Sequence, residues 1–189
     1  LALLGLSGVL AYNTFFLGLK DLAASRAGLI IALNPVTIAL GSSLFWREKL
    51  SYLKILGIFI ALTGAVLVIS KGDLQTTIAQ GIGRGELYIL GCVVSWVVYS
   101  LVGKLAMQQL SVVTTTSYAI WLGTLFLLPL AIWEQQNHLP SINWLTGLCL
   151  MYLGILGTVI AFNWYYVGIK ILGAAKAGIF INLVPVFAA

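Results

Sequence analysis

Long apolar runs separated by short polar turns divide the sequence into seven segments. An α-helix needs roughly 20 mostly apolar residues to cross the hydrocarbon core of a bilayer. Backbone groups in lipid must be satisfied within helices or a closed barrel, and the runs lack the alternation that a membrane barrel requires. We therefore predict membrane-spanning helices over residues 1–19, 26–46, 52–70, 87–108, 112–133, 144–169 and 172–189, the last one cut short.

The composition agrees with this pattern. Hydrophobic residues make up 61% of the chain and charged residues only 8%, a balance that excludes a soluble globular protein. The ten basic residues are scattered singly, so no cluster predicts binding to nucleic acid. The sequence thus predicts an all-α integral membrane protein whose surroundings are the lipid bilayer.

An internal repeat indicates that the first two and the last two segments are copies of one unit. Residues 11–39 align without a gap to residues 161–189 with 13 identities in 29 positions, which include Asn, Lys, Gly and Pro. Such matches at a fixed offset indicate two copies of one structural unit. Five predicted crossings separate the copies, and an odd number turns the second copy upside down. The repeat therefore predicts inverted halves with a binding site between them near the midplane, as in many secondary transporters.

The repeat also predicts a protein longer than this chain. Segments four and five should have counterparts before residue 1, and roughly 30 further residues should follow Ala189. The complete protein would then be an inverted repeat of two five-helix units, with ten helices of which seven are visible. We expect residues 1–74 to form the last three helices of the first unit, 75–86 a linker, and 87–189 the second unit, truncated at its C-terminus.

Two stretches carry a family resemblance. They are "LFWREKLSYLKILGIFIALTGAVLVISKGDL" at 44–74 and "GELYILGCVVSWVVYSLVGK" at 85–104. With Glu48, Gly64 and the pair Trp96 and Tyr99, they resemble the EamA-like family of the drug/metabolite transporter superfamily. The resemblance implies a ten-helix exporter with cytoplasmic termini, of which this chain would be helices three to nine. It also implies a small-molecule substrate and a bacterial or archaeal cytoplasmic membrane.

Polar and aromatic residues near the predicted midplane are the candidate site. At 1.5 Å per residue, Asn34 lies about 12 Å inward from Arg26, and Trp96 about 15 Å inward from Glu86. Trp96 and Tyr99 share one helical face, and Tyr118 and Trp121 repeat their spacing. Such faces can stack an organic ring or hold a cation, although aromatic residues also serve as core filler or interface anchors. The predicted cavity residues are Asn13, Asn34, Trp96, Tyr99, Tyr118, Trp121, Asn163, Tyr166 and Asn182.

Two prolines at matching places in the repeat predict kinks. Pro35 and Pro185 each remove a backbone donor near the midplane, and paired kinks suit helices that open opposite gates. A simple packing kink, in which Asn34 satisfies a loose carbonyl, is the alternative. The duplicated Asn13 and Asn163 suit either the cavity or hydrogen bonds between helices, and we favour the latter slightly.

The remaining chemistry is sparse. Cys92 and Cys149 have no Cys or His at metal-ligand spacing, so no metal or cofactor is predicted. His138 lies in a loop, and the sequence shows no clustered catalytic groups. The basic residues Lys20, Arg26, Lys170 and Lys176 fall at segment ends, where membrane topology and interface anchoring explain them.

These features predict a transporter rather than an enzyme. We expect an alternating-access exporter of small organic metabolites that are neutral, zwitterionic or aromatic, amino acids and drugs included. The alternatives are a seven-helix receptor-like protein, which would not need the internal repeat, and an exchanger of sugar phosphates or nucleotide sugars. No Lys, Arg, Asp or Glu falls near the middle of a predicted span, which argues mildly against the exchanger. A homodimer is left open.

Overall fold

A computed structural model of the protein describes residues 1–46, 82–135 and 143–183, together with residues 52, 55–57, 59–60 and 63–64. Its α-helices are α1 (Ala2–Asp21), α2 (Ala24–Ile31), α3 (Asn34–Trp46), α4 (Arg84–Ala106), α5 (Val112–Gln135), α6 (Trp144–Tyr152), α7 (Ala161–Leu172) and α8 (Ala174–Ile179). A π-helix, Leu153–Ile160, joins α6 to α7, and a 3-10 turn, Phe180–Leu183, follows α8. Regular structure in these ranges is helical throughout, as predicted.

Five of the predicted membrane spans are found among the described residues. The stretches long and apolar enough to cross a bilayer are Ala2–Asp21, Arg26–Phe45, Arg84–Ala106, Val112–Trp133 and Trp144–Leu172. The predicted segment 52–70 lies largely outside the described residues, although those described within it are helical. The last predicted segment is described only as far as residue 183. The all-helical, multi-pass membrane class is therefore confirmed.

The second span is interrupted rather than kinked. The sequence predicts one helix bent at Pro35, but α2 ends at Ile31 and α3 begins at Asn34. Pro35 therefore lies in the first turn of α3, where a missing N–H costs no helical hydrogen bond. The Thr37 hydroxyl donates to the carbonyls of Leu33 and Asn34, both at 3.0 Å. The restart is thus stabilised by Thr37.

Helix α4 is the centre of the described fold. Helix α1 packs against it in the antiparallel direction, because Gly18 lies against Ile89 near one end and Gly8 against Tyr99 further along. Helix α7 runs parallel to α4, because Phe162 contacts Trp96 and Tyr166 contacts Gly103. The two helices that carry the sequence repeat, α1 and α7, therefore run in opposite directions along the same helix.

One ion pair joins α2 to α4 at their first turns. Arg26 Nη2 lies 2.9 Å from Glu86 Oε1, and their side chains are only 17% and 10% exposed. The sequence predicts an interfacial position for Arg26, and the structure adds a partner, Glu86, that lies 60 residues away and that sequence spacing cannot reveal. From this pair α3 continues in the same direction as α4, since Gly41 packs on Val97 and Leu101.

The predicted sixth span contains a change of helix type. Residues 153–160 form a π-helix, in which the Thr158 hydroxyl donates to the carbonyl of Leu153, five residues earlier, at 3.0 Å. π-helical turns are rare and are frequently found at functional sites. No local pattern marks this one, since Leu153–Ile160 consists of apolar residues, two glycines and Thr158.

Helices α1 and α5 pack so closely at Gly5 that a larger residue should not fit. A Cβ there would lie 2.6 Å from Leu122 Cβ and 2.9 Å from the Gly123 backbone nitrogen. We expect Gly5→Ala to lower the free energy of unfolding of the full-length protein in micelles by about 1–3 kcal/mol. Gly147→Ala is the control, because a Cβ at Gly147 meets nothing within 4 Å. Equal stability of the two variants would contradict the close contact.

The Arg26–Glu86 pair should behave as an energetically coupled unit. In a double-mutant cycle with Arg26→Gln and Glu86→Gln, we expect a coupling energy of about 1–3 kcal/mol, because the two opposite charges lie 2.9 Å apart and are largely shielded from water. The measurement is again unfolding of the full-length protein. A cycle between Glu86→Gln and Lys176→Gln on α8 should be additive. Additivity in the first cycle as well would mean that the ion pair contributes nothing.

Candidate functional site

Six aromatic residues from three helices meet beside the middle of α4. We call this group, defined by Tyr12, Trp96, Tyr99, Phe162, Tyr165 and Tyr166, the aromatic cluster. Trp96 is at the centre of the 23-residue helix α4, so the cluster lies near the middle of a span. Two of the predicted site residues, Trp96 and Tyr99, stack on each other with ring centroids 5.5 Å apart.

Offset stacking and edge contacts hold the cluster together. Tyr99 stacks on Tyr166 at 5.3 Å and 15°, and both are almost fully buried. Trp96 contacts Phe162 edge-on at 5.7 Å and Tyr165 at the same distance. Aromatic pairs of this kind contribute about 0.5–1.5 kcal/mol beyond the burial of their area. The rings are therefore a rigid wall rather than a set of independent side chains.

Hydrogen bonds fix the hydroxyl groups of two of these rings, Tyr165 and Tyr166. The Ser100 hydroxyl donates to the Trp96 carbonyl at 2.8 Å. Because a hydroxyl has one proton, the Tyr165 hydroxyl is the donor in its own 2.8 Å bond to Ser100 Oγ. The Tyr166 hydroxyl donates to the Tyr99 carbonyl at 3.3 Å. These bonds orient α7 against α4 at the level of the cluster.

Two cavities border the aromatic cluster. The Asn34 cavity, of about 340 Å³, is lined by Tyr12, Phe15, Ile31, Asn34, Cys92 and Trp96, among others. The Gly8 cavity, of about 230 Å³, is lined by Gly8, Tyr12, Tyr99, Ala119, Thr158 and Phe162, among others. Tyr12 borders both, and none of the described residues that line either cavity carries a charge.

Asn34 is buried beside its cavity. It is 3% exposed, and its side-chain oxygen has no hydrogen-bond partner among the described residues. The local hydrogen bonds at the helix restart are made by Thr37 instead. A buried acceptor without a donor costs about 1–3 kcal/mol, so this amide is a feature that the fold alone does not explain.

The other predicted residues lie in different settings. Tyr118 and Trp121 on α5 are 48% and 75% exposed and are not part of the aromatic cluster. The Asn13 and Asn163 amides donate to the carbonyls of Val9 and Val159, each four residues earlier in the same membrane span, rather than to a neighbouring span.

Two predicted residues are only partly or not at all described. Asn182 falls in the 3-10 turn after α8, but its side chain is outside the described residues. Pro185 lies outside them altogether. The gating kink that the sequence predicts at Pro185 therefore stays a prediction.

Sequence reasoning missed three members of the cluster, Tyr12, Phe162 and Tyr165. A signal for two of them was present, because Tyr12 and Phe162 occupy the same position in the two copies of the repeat. Their rings lie 6.2 Å apart in the structure. Tyr165 likewise matches Phe15, which lines the Asn34 cavity.

Known proteins similar to the chain are transporters of bacteria and archaea. An uncharacterized transporter of Bacillus subtilis, YyaM, is 30% identical over 97% of this chain and 61% of its own length. An uncharacterized transporter of Archaeoglobus fulgidus is 32% identical over 100% of this chain and 65% of its own length. A probable terminal-alkyne amino-acid exporter of Streptantibioticus cattleyicolor is 28% identical over 98% and 61%. No solved structure matches significantly.

The chain thus spans less than two thirds of the length of these relatives. The sequence pattern of one transporter family matches residues 1–70 and 83–189, which is nearly the whole chain. The protein is an integral, multi-pass membrane protein, and its chain belongs to the EamA-like transporter family.

Proposed function

We propose that the whole protein is a secondary transporter that exports small organic molecules by alternating access. One observation carries the proposal: the helices that bear the sequence repeat meet at mid-span, where an aromatic cluster separates two uncharged cavities. Ligand sites are typically concave, mostly apolar and lined by aromatic residues with a few polar groups. Family membership supports transport as the use of such a site.

Three features of the described residues support an inverted repeat. Helices α1 and α7 carry matching residues, yet they run in opposite directions along α4. Tyr12 and Phe162, which are equivalent, contact each other, as residues near a two-fold axis do. The equivalent Ile31 and Ile181 both line the Asn34 cavity. We propose two five-helix units in the full protein, divided here as residues 1–74, 75–86 and 87–189.

Alternating access follows from this arrangement. In inverted-repeat transporters, one half rocks against the other around a fixed site, and interrupted helices border that site. The break between α2 and α3 is such an interruption, with Asn34 and Pro35 at the restart. We propose that this break is one gate and that the Pro185 region of the second copy is the other. The aromatic cluster stays between them.

The substrate we propose is neutral, zwitterionic or aromatic. The uncharged cavity walls support this, because a phosphate group in either cavity would lose its hydration without a cationic partner. The relative named as a probable amino-acid exporter also supports a small metabolite as substrate and export as the direction. For the same reason of charge we place a sugar-phosphate exchanger second.

Removing the central ring of the cluster should abolish transport. We expect Trp96→Ala in the full-length protein to reduce export at least tenfold, because Trp96 borders the Asn34 cavity and contacts three other aromatic rings. The measurement compares metabolites released to the medium by bacteria that express each variant at equal level. Trp133→Ala is the control, because Trp133 is 74% exposed at the end of α5. Equal loss in both variants, or no compound released by the wild type above empty vector, would contradict the proposal.

The inverted repeat predicts opposite sides for equivalent positions. Asp21 and Ile171 are equivalent and lie at the ends of α1 and α7. In a full-length protein without other reactive cysteines, Asp21→Cys should react with a membrane-impermeant thiol reagent on intact cells. Ile171→Cys should react only after the cells are opened. Labelling of both from the same side would exclude the inverted arrangement.

A further inference from the structure

We propose that the Asn34 cavity binds an uncharged, largely apolar molecule that donates one hydrogen bond to the side-chain oxygen of Asn34. This inference rests on the proposed transport function and specifies the kind of substrate. The single observation behind it is a buried acceptor without a partner in the wall of a largely apolar cavity.

The acceptor is available because the fold does not use it. Asn34 begins α3 directly after the helix break, where an amide side chain commonly bonds to the nearby backbone. Here the Thr37 hydroxyl bonds to the Leu33 and Asn34 carbonyls, and Asn34 Oδ1 has no partner among the described residues. A ligand N–H or O–H would satisfy this oxygen and recover the cost of its burial.

The rest of the wall defines what the ligand must be apart from its donor. Phe15, Ile31 and the rings of Tyr12 and Trp96 give apolar surface and flat faces on which a ring can stack. No charged side chain is among the described lining residues, so an ionised ligand would lose its hydration without compensation. The wall therefore favours a neutral ring or short apolar body with one donor.

The acceptor belongs to one half only. Position 184, which matches Asn34 in the second copy of the repeat, is a valine. Ile31 and Ile181, by contrast, match and both line the cavity. Apolar surface is therefore contributed by both copies, whereas the hydrogen bond comes from the first, so the ligand would bind in one orientation.

A native thiol in the wall allows occupancy to be measured without transport. Cys92 lines the Asn34 cavity and is buried, whereas Cys149 on α6 is exposed and lines neither cavity. Alkylation by N-ethylmaleimide in the purified full-length protein can be followed separately at the two cysteines by mass spectrometry of their peptides. Cys149 is thus an internal control in the same molecule.

The probes are indole, which has one N–H donor, and benzothiophene, which has the same two-ring shape and no donor. We expect indole to protect Cys92 at concentrations about tenfold lower than benzothiophene, the difference expected for one buried hydrogen bond. Neither probe should change the alkylation rate of Cys149. Equal protection of Cys92 by both probes in the wild type would overturn the proposed hydrogen bond. If the probes protect neither cysteine, or protect both equally, the proposed site is wrong.

The variant Asn34→Leu removes the acceptor at similar size. It should abolish the preference for indole while leaving benzothiophene protection within about twofold, because only the hydrogen bond is lost. Gln108→Leu makes a comparable amide-to-apolar change at an exposed position between α4 and α5, and it should keep the preference. If Asn34→Leu still prefers indole to benzothiophene, the indole N–H bonds to another residue and the proposal is wrong.

These outcomes are separable from those of the transport proposal. If export depends on Trp96 but indole does not protect Cys92, the substrate class inferred here is wrong and transport stands. If indole protects Cys92 but no compound is exported, the cavity binds a neutral donor and the exporter proposal is wrong.

Discussion

Hydrocarbon offers no hydrogen bonds to the backbone, and the rest of the described structure depends on this constraint. Each span has to satisfy its own N–H and C=O groups, so the chain can leave regular helix within the membrane only where another group substitutes. At the break after α2 the Thr37 hydroxyl adds a hydrogen bond to the carbonyls of Leu33 and Asn34, and in the π-helix the Thr158 hydroxyl bonds back to Leu153. Both irregularities border the two cavities, as expected if irregular backbone is tolerated where it serves a site.

The same constraint explains why the sequence revealed the spans. Helix length and apolar composition follow from crossing the bilayer, so five spans could be placed from periodicity and length alone. The pairing of the helices could not. The Arg26–Glu86 ion pair joins residues 60 positions apart, and nothing local to either residue distinguishes it from an interface charge. Long-range partners depend on which helices pack together, and composition does not specify that.

The candidate site was likewise predictable from the sequence only in part. Trp96 and Tyr99 could be chosen because polar-tipped aromatic residues at mid-span are unusual in hydrocarbon. Tyr118 and Trp121 had the same spacing, yet in the described chain their helix turns them outward. Tyr12 and Phe162 were visible only through the repeat, since each alone is an ordinary aromatic residue in an apolar run.

The π-helix lies where the alignment of the two copies shifts by one residue. Residues 11–39 match 161–189 at an offset of 150, and that match begins immediately after the π-helix ends at Ile160. Upstream of that match, Gly5 and Gly8 correspond to Gly154 and Gly157, which lie within the π-helix, at an offset of 149. The second copy therefore carries one inserted residue relative to the first. One residue turns an α-helix by about 100°. The π-helix accommodates that residue in a wider turn, so the α6 end keeps its rotation about the span axis relative to α7, and the duplicated helices can present equivalent faces both at the cluster and at that end.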